Sequence, residues 1–145
     1  MRILVDADAC PVKDTIITLA NKNKIEVHFF ADVNHELSQY DAIVHTTDQG
    51  RDSADFALIG TMEKGDIVIT SDYGVASLAI GRGGYILHPS GKRLHHDNID
   101  LLMFERHLSQ KSRQAGLRGP KHKKRSVHDN LNFYHALEKL IYDTQ

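Results

Sequence analysis

Short apolar segments of strand length alternate with segments of helical periodicity between Arg2 and Leu87. About five strands are predicted, at Arg2 to Val5, Val27 to Phe30, Ala42 to Val44, Ile67 to Ile69 and Tyr85 to Leu87. The helices predicted between them run from about Pro11 to Ala20, from Gly50 to Met62 and from Val75 to Ile80. This alternation is typical of βαβ units, so we expect an α/β protein with a mainly parallel sheet covered by helices on both faces.

The pattern changes in the last third of the chain. Asp97 or Asn98 is placed to cap a further helix. A basic loop at about 111–125 follows, and a C-terminal helix is predicted at about 127–143. Because the chain has 145 residues, we expect 1–145 to form a single domain.

Positive charge is concentrated in one segment, although the whole chain has a net charge of −1. Eight Lys or Arg residues and one acid lie between Glu105 and Arg125, so the rest of the chain is acidic. The eight are Arg106, Lys111, Arg113, Arg118, Lys121, Lys123, Lys124 and Arg125. A basic segment beside an acidic body indicates a binding site for a polyanion. A solvated surface loop is the alternative interpretation.

Other features of the sequence restrict the class of protein. With one cysteine, Cys10, no internal disulfide can form, and a cysteine-based zinc site is not expected. The apolar segments are too short to cross a bilayer, and the first residues lack the layout of a signal peptide. We therefore expect a cytoplasmic protein without a membrane-spanning part, and the sequence indicates no particular oligomeric state.

Two of the predicted strands end in carboxylates. The first strand leads into Asp6 and Asp8, and the fourth leads into Asp72. In an open parallel sheet, ligands bind beyond the carboxyl ends of the strands, where the strand order reverses. If these two strands are neighbours there, the carboxylates converge and repel one another unless a cation lies among them. Hard oxygen ligands of this kind favour Mg²⁺ or Mn²⁺.

Two further acids lie three residues apart on the predicted second helix. Asp55 lies close to the apolar side of that helix, about 20° from Met62 at 100° per residue, and is therefore the better aimed toward the sheet. Asp52 is either a further metal ligand or a first-turn acid favoured by the helix dipole.

Each of these carboxylates also has a purely structural interpretation. Asp8 could cap the helix that begins near Pro11, and Asp72 could cap the helix that follows it. Caps, however, do not require acids at the ends of two strands together with another on a helix. The combined pattern therefore favours a metal-binding cluster.

Several motifs of the chain resemble the YaiI/YqxD family of bacterial proteins. They are Asp6-Ala-Asp8-Ala-Cys10-Pro11-Val12-Lys13, Gly50-Arg51-Asp52-Ser53-Ala54-Asp55, Thr70-Ser71-Asp72, and the late Arg113, Gly116 and Gly119-Pro120. The resemblance covers nearly the whole chain. It implies a PIN-like domain, meaning the three-layer α/β/α fold of nucleases that hold Mg²⁺ or Mn²⁺ with acidic residues, here with C-terminal helices added.

The resemblance also implies roles for individual residues. It places the strand-one acid of PIN nucleases at Asp6, the helix acid at Asp55 and the Thr-x-Asp acid at Asp72, with Ser71 or Thr70 as a supporting oxygen. PIN nucleases usually carry a further mid-chain acid, and no clear counterpart lies between residues 33 and 47 of this chain. Asp8 or Asp52 would take its place.

The activity expected from the resemblance is metal-dependent phosphodiester hydrolysis in RNA, rather than DNA, or in single-stranded nucleic acid. Asp6, Asp55 and Asp72 would be the catalytic residues. The residues expected to contact phosphate are Lys13, Arg51, Ser71, Arg113, Arg118, Lys121, Lys123, Lys124 and Arg125. Such contacts hold the backbone of a nucleic acid without reading its sequence.

Two other functions fit part of the pattern. A phosphatase of the haloacid-dehalogenase type would use Asp6 and Asp8 as nucleophile and acid. Cys10, however, stands where Thr or Val would be expected, and no late strand ends in the acidic pair that such enzymes need. A non-catalytic, metal-containing module that binds nucleic acid would agree with the missing mid-chain acid.

Overall fold

The computed structural model of the chain describes residues 1–8, 10–32, 36–47, 53–116 and 124–145. Within these ranges, six strands form one sheet: β1 (Ile3–Asp6), β2 (Val27–Asp32), β3 (Ile43–Thr47), β4 (Ile67–Ile69), β5 (Tyr85–Leu87) and β6 (Arg93–Leu94). Five helices are described with them: α1 (Lys13–Asn23), α2 (Ser53–Thr61), α3 (Tyr73–Gly81), α4 (His96–Gln114) and α5 (Val127–Thr144).

The strand order places β1 inside the sheet, between β2 and β4. Across the sheet the order is β3-β2-β1-β4-β5-β6, and all neighbours are parallel except β5 and β6. Val5 of β1 therefore lies between Phe29 of β2 and Ile69 of β4. The chain moves outward from β1 to β2 and β3, then returns to the other side of β1 to form β4. The strand order thus reverses between β1 and β4, which is where such sheets form a crevice beyond their carboxyl ends.

The side chains of β1 are buried on both faces of the sheet. Ile3 and Val5 belong to a core shared with α1 and α5, whereas Leu4 belongs to a second core shared with α2, α3 and α4. A parallel strand covered on both faces needs apolar residues at every position, which explains the uninterrupted run Ile3-Leu4-Val5. The predicted α/β/α fold with added C-terminal helices is therefore confirmed. No helix in the described ranges is both long and apolar enough to span a membrane.

A buried ion pair joins β1 and β4 at the amino ends of the strands. Arg2 Nη2 lies 2.7 Å from Asp66 Oδ2, and the backbone N–H groups of Arg2 and Glu63 also donate to the Asp66 carboxylate. Burial raises the pKa of Asp66, but these hydrogen bonds and the charge of Arg2 outweigh it and hold the pKa below its usual value. The charge at this edge of the sheet is thus compensated within the fold.

The structure corrects two details of the predicted elements. The sheet has six strands where about five are predicted, because β6 has only two residues and offers no periodic pattern. The prediction that Asp97 or Asn98 is the N-cap of α4 is wrong. His95 is the N-cap and accepts from the Asp97 N–H, while Asn98 accepts from the His95 N–H in return.

The helix α4 also extends into the predicted basic loop. Lys111 and Arg113 lie in its last turn, where the helix dipole favours cations. The chain leaves the helix at Gly116, whose φ of 82° is a conformation that glycine adopts without a steric penalty. No breaker precedes this glycine after Ile99, so the helix continues about four residues beyond the predicted boundary. The C-terminal helix, α5, agrees closely with its predicted range.

Candidate functional site

The carboxyl ends of β1 and β4 lie side by side, as predicted. Asp6 is the last residue of β1, and Thr70 follows the last residue of β4 just beyond the pairing of Val5 with Ile69. The Thr70 hydroxyl donates to Asp6 Oδ2 over 3.2 Å. Asp6 therefore stands at the reversal of strand order, where a ligand crevice is expected.

Asp6 is half-buried and lies near two other carboxylates. Burial raises the pKa of Asp6, and the negative charges of Asp8 and Asp72 raise it further, while the hydrogen bond from Thr70 acts in the opposite direction without outweighing them. Both neighbours thus lie close enough to act on Asp6 electrostatically. We call Asp6, Asp8 and Asp72 the acidic cluster. Its net repulsion is relieved by protonation or by a bound cation.

Asp72 is held by a local network at the end of β4. Thr70 is buried, and its hydroxyl oxygen accepts from the Asp72 N–H over 3.0 Å. Asp72 Oδ1 accepts from the N–H groups of Gly74, at 2.8 Å, and Val75, at 3.2 Å, and so caps α3. The structural interpretation of Asp72 as a cap is confirmed. Within the described ranges, no donor reaches Oδ2 of Asp72, so capping leaves one oxygen for a ligand.

Asp8 connects the cluster to β2. Its two carboxylate oxygens lie 3.1 and 3.3 Å from the backbone nitrogen of Asp32, which donates to them. The alternative role of Asp8 as the cap of α1 is wrong, because Val12 is the N-cap and no described side chain caps that helix. Asp32 itself is a site residue that the sequence analysis does not single out. It ends a buried strand just as Asp6 does, and that shared signal would have identified it.

Asp55 lies at the same end of the molecule. It is in the first turn of α2, which follows β3 and packs against β1, β2 and β3. Because β3 runs parallel to β1 through their shared neighbour β2, α2 begins near the carboxyl edge of the sheet. Asp55 is half-buried there, and its participation in the same site stays a prediction. Asp52 lies outside the described residues.

The oxygen atoms at this edge are suitable ligands for a hard divalent cation. Among the described residues, no three His, Cys, Asp or Glu side chains form a group that could hold a metal ion. Mg²⁺, however, is commonly bound through one or two carboxylates, with water molecules completing its octahedron. Asp6 and Oδ2 of Asp72, with Asp8 nearby, meet that smaller requirement, so the donor chemistry fits Mg²⁺ or Mn²⁺.

Two of the predicted phosphate-binding cations lie beside the cluster. Lys13 Nζ donates to the carbonyl of Cys10 over 2.8 Å, and Arg125 Nη2 donates to the carbonyl of Pro89 over 2.8 Å. Burial raises the pKa of the Cys10 thiol, the charges of Lys13 and Arg125 lower it, and that of Asp6 raises it again. All three charged groups therefore lie near Cys10, a buried thiol whose pKa is raised.

The other predicted phosphate contacts are spread over the surface. Arg113, Lys124 and Ser71 are exposed, and Ser71 adjoins the acidic cluster through its neighbour in the chain. Four predicted contacts lie outside the described residues, namely Arg51, Arg118, Lys121 and Lys123.

An aromatic and cationic group adjoins Asp72. The ring of Tyr73, the first residue of α3, lies 6.2 Å from the His88 ring, and the Arg106 guanidinium lies 5.9 Å from the Tyr73 ring centre. The sequence does not predict this group, because Tyr73 lies in α3, His88 follows β5 and Arg106 lies in α4. No local pattern connects them, and only the tertiary fold does.

The chain is similar in sequence to a family of known proteins. The profile described as "Uncharacterized BCR, YaiI/YqxD family" matches residues 4–143. A UPF0178 protein of Natranaerobius thermophilus is 45% identical over 141 residues, covering 97% of this chain and 96% of that protein. A UPF0178 protein of Ruminiclostridium cellulolyticum is 48% identical over 137 residues, covering 94% and 90%. No solved structure matches.

Proposed function

The chain belongs to the YaiI/YqxD family, and we propose that it is a divalent-metal-dependent nuclease acting on RNA or single-stranded nucleic acid. The observation that carries the proposal is that Asp6 and Asp72 are joined through the Thr70 hydroxyl at the reversal of strand order, with Asp8 near enough to act on Asp6 electrostatically. Carboxylates that repel one another at a ligand-binding position of the fold are costly unless they serve a cation.

The residues proposed to hold Mg²⁺ or Mn²⁺ are Asp6 and Asp72, with Asp8 and the helix acids Asp55 and Asp52 as the remaining candidates. When bound, such an ion polarises a phosphoryl oxygen and lowers the pKa of its water. Thr70 fixes the positions of Asp6 and Asp72 relative to each other, because its hydroxyl group forms a hydrogen bond with each of them.

The surroundings of the cluster favour a polyanionic substrate with unpaired bases. Lys13 and Arg125 lie near Cys10 together with Asp6 and would neutralise phosphate charge. Tyr73 and His88 offer aromatic rings next to Asp72, with Arg106 beside Tyr73. Aromatic rings next to cations are the usual means of holding single-stranded nucleic acid, since every base has a face that can stack.

A second candidate function, a non-catalytic metal-containing module that binds nucleic acid, is favoured by a different observation. Asp8 accepts a hydrogen bond from the backbone N–H of Asp32, and Asp72 caps α3. Both acids therefore stabilise the fold whether or not a metal is bound. In such a module Asp6 and Oδ2 of Asp72 would hold the ion without catalysis, Lys13 and Arg125 would hold phosphate, and Asp8 would shape the edge of the sheet.

The test is cleavage of a panel of RNA and single-stranded DNA with Mn²⁺ or Mg²⁺ by the wild type, Asp6→Asn and Asp72→Asn. The proposal expects cleavage that needs the ion and falls at least about a hundredfold in each variant. Asp41→Asn, at an exposed aspartate in a turn, is the matched control and should cleave like the wild type.

The same panel separates the alternatives. Equal activity in the wild type and both site variants would exclude the nuclease mechanism. Binding of RNA without cleavage would establish the non-catalytic module. Hydrolysis of a phosphate monoester, lost in Asp6→Asn while RNA stays intact, would indicate the phosphatase instead.

A further inference from the structure

The second half of α4 is largely exposed to solvent. Every residue from Met103 to Gln114 is exposed except Ser112, which is half-buried. In the first half, Ile99 and Leu102 are buried. At 1.5 Å per residue the exposed half is about 18 Å long. A helix of that length is marginal in water without tertiary packing, so a partner for this segment would stabilise it.

One side of α4 is already used by the fold. Ile99 and Leu102 belong to the core that α3 shares, and Arg106, one turn further along the same side, lies against Tyr73. Tyr73 is the first residue of α3, so α4 passes the end of α3 at Arg106, and the residues that follow extend past α3.

The opposite side of α4 carries an exposed apolar stripe. Leu101, Phe104 and Leu108 are 59%, 56% and 47% exposed. Their spacing of three and four residues places them on one side of the helix, and at 100° per residue that side lies roughly opposite Ile99 and Leu102. We call Leu101, Phe104 and Leu108 the α4 stripe. Three large apolar side chains in a row exceed the scattered apolar residues of an ordinary surface.

Charge changes sign along the α4 stripe. Asp97 and Asp100 border its amino end, whereas Lys111 borders its carboxyl end. Among the described residues, Asp100 and Lys111 have no ion-pair partner. Positions 97, 101, 104, 108 and 111 continue the alternating spacing of four and three that is typical of paired helices.

We propose that the α4 stripe binds the same stripe of a second copy of this chain, with the two helices antiparallel about a twofold axis. In the register where Phe104 faces Leu108 of the partner subunit, Asp100 lies within one residue of the level of Lys111 of the partner subunit, near enough for their side chains to pair. A twofold axis makes each of these contacts twice. A parallel pair would instead place acid beside acid and base beside base.

The same charges argue against nucleic acid as the occupant of the stripe. Asp97, Asp100 and Glu105 border the apolar residues and would repel a phosphate backbone. The inference is independent of the proposed nuclease activity, because the stripe lies on the side of α4 away from Tyr73 and the acidic cluster.

Sedimentation of the full chain between about 1 and about 100 µM tests the proposal, because dimers of small interfaces dissociate in this range. We expect a dimer at the higher concentration and a monomer of unchanged circular dichroism for Leu108→Glu. Leu131→Glu, at a leucine of α5 that is 51% exposed and outside the stripe, is the matched control and should still form the dimer.

A charge exchange tests the antiparallel register. Asp100→Lys alone and Lys111→Asp alone should each weaken the dimer about fivefold or more, and the double variant should restore it. A wild type that stays monomeric at about 100 µM would overturn the proposal, as would a dimer indifferent to Leu108→Glu. Failure of the double variant to recover would overturn the antiparallel pairing. Loss of RNA binding by Leu108→Glu, with the wild type monomeric at every concentration, would assign the stripe to nucleic acid instead.

Discussion

At the scale of single residues, Thr70 joins the two halves of the candidate site. Its hydroxyl donates to Asp6 Oδ2 over 3.2 Å and accepts from the Asp72 N–H over 3.0 Å. The side chain is buried, so neither bond can be replaced by bulk water without opening the structure. The positions of Asp6 and Asp72 are therefore coupled through one side chain.

Asp6→Asn is expected to stabilise the metal-free protein near neutral pH by a few degrees in Tm. The folded state raises the pKa of Asp6 above its usual value of 3.8, so the folded state binds the proton more tightly than the unfolded state. The wild type thus loses stability as pH rises from about 3.8 through the higher pKa of the folded state. The asparagine variant has no carboxyl group at this position and does not lose that stability. Thermal melts with a chelator at about pH 3 and about pH 7 measure the effect.

The difference in Tm between Asp6→Asn and the wild type should be small at the lower pH and larger at the higher pH. Asp41→Asn, at an exposed aspartate, should follow the wild type throughout. A variant that is less stable than the wild type at neutral pH would show that Asp6 is not electrostatically strained.

Asp72 has two roles that different substitutions can separate. Asp72→Ala removes the cap of α3 and should lower the free energy of unfolding by about 1 kcal/mol. Asp72→Asn keeps a capping oxygen and should stay within a few tenths of a kcal/mol of the wild type. Denaturant unfolding measures both. Equal losses in the two variants would contradict the separation of capping from charge.

At the scale of elements, the two ends of the β1 and β4 pair are built differently. The amino ends are joined by the compensated pair of Arg2 and Asp66, whereas the carboxyl ends gather repelling carboxylates. Strands that are held firmly at one end can carry strain at the other, a common arrangement at functional sites.

Asp66→Asn is expected to destabilise the protein by about 2 kcal/mol at neutral pH, because it leaves the partly buried Arg2 without its charged partner. The folded pKa of Asp66 is lowered, so its contribution is present above the unfolded pKa of 3.8 and is lost as pH falls through the folded pKa. Unfolding measured at several pH values tests both statements.

The effect of Asp66→Asn should therefore shrink in strong acid. Asp143→Asn removes an exposed pair with Lys139 on α5 and should cost much less. A similar cost for the two variants would show that burial does not distinguish them.

Elements with a continuous apolar run can be predicted from the sequence, and elements defined by distant contacts cannot. The strands β4 and β5 have the predicted bounds, because Ile67-Val68-Ile69 and Tyr85-Ile86-Leu87 are apolar at every position that the sheet covers. The strand β6 has two residues and carries no such pattern. The cap of α4 is missed because His95 is not among the residue types that favour this position.

The candidate site likewise contains residues that the sequence predicts and residues that only the tertiary fold brings together. Asp6, Asp8 and Asp72 can be found from strand ends and the rule for parallel sheets. The group formed by Tyr73 and Arg106 depends on how α4 crosses α3, which no local pattern specifies. Loop residues such as Asp52 lie outside the described ranges, so their roles stay predictions.

At the scale of the whole molecule, acidic and basic groups of the described residues come together at the carboxyl edge of the sheet. The acidic cluster lies at the reversal of strand order, with Lys13 and Arg125 beside it and the basic end of α4 beyond Tyr73. A polyanion attracted by the basic residues would be led toward the carboxyl edge of the sheet. A bound divalent ion would remove the repulsion that the cluster otherwise imposes on the fold.

The most direct test of this account is calorimetric titration of the metal-free protein with Mn²⁺, comparing the wild type with Asp6→Asn and the control Asp41→Asn. The account predicts saturable binding to the wild type and the control, with at least about tenfold weaker binding to Asp6→Asn. Identical titrations of all three proteins, or no binding to the wild type at millimolar Mn²⁺, would contradict it.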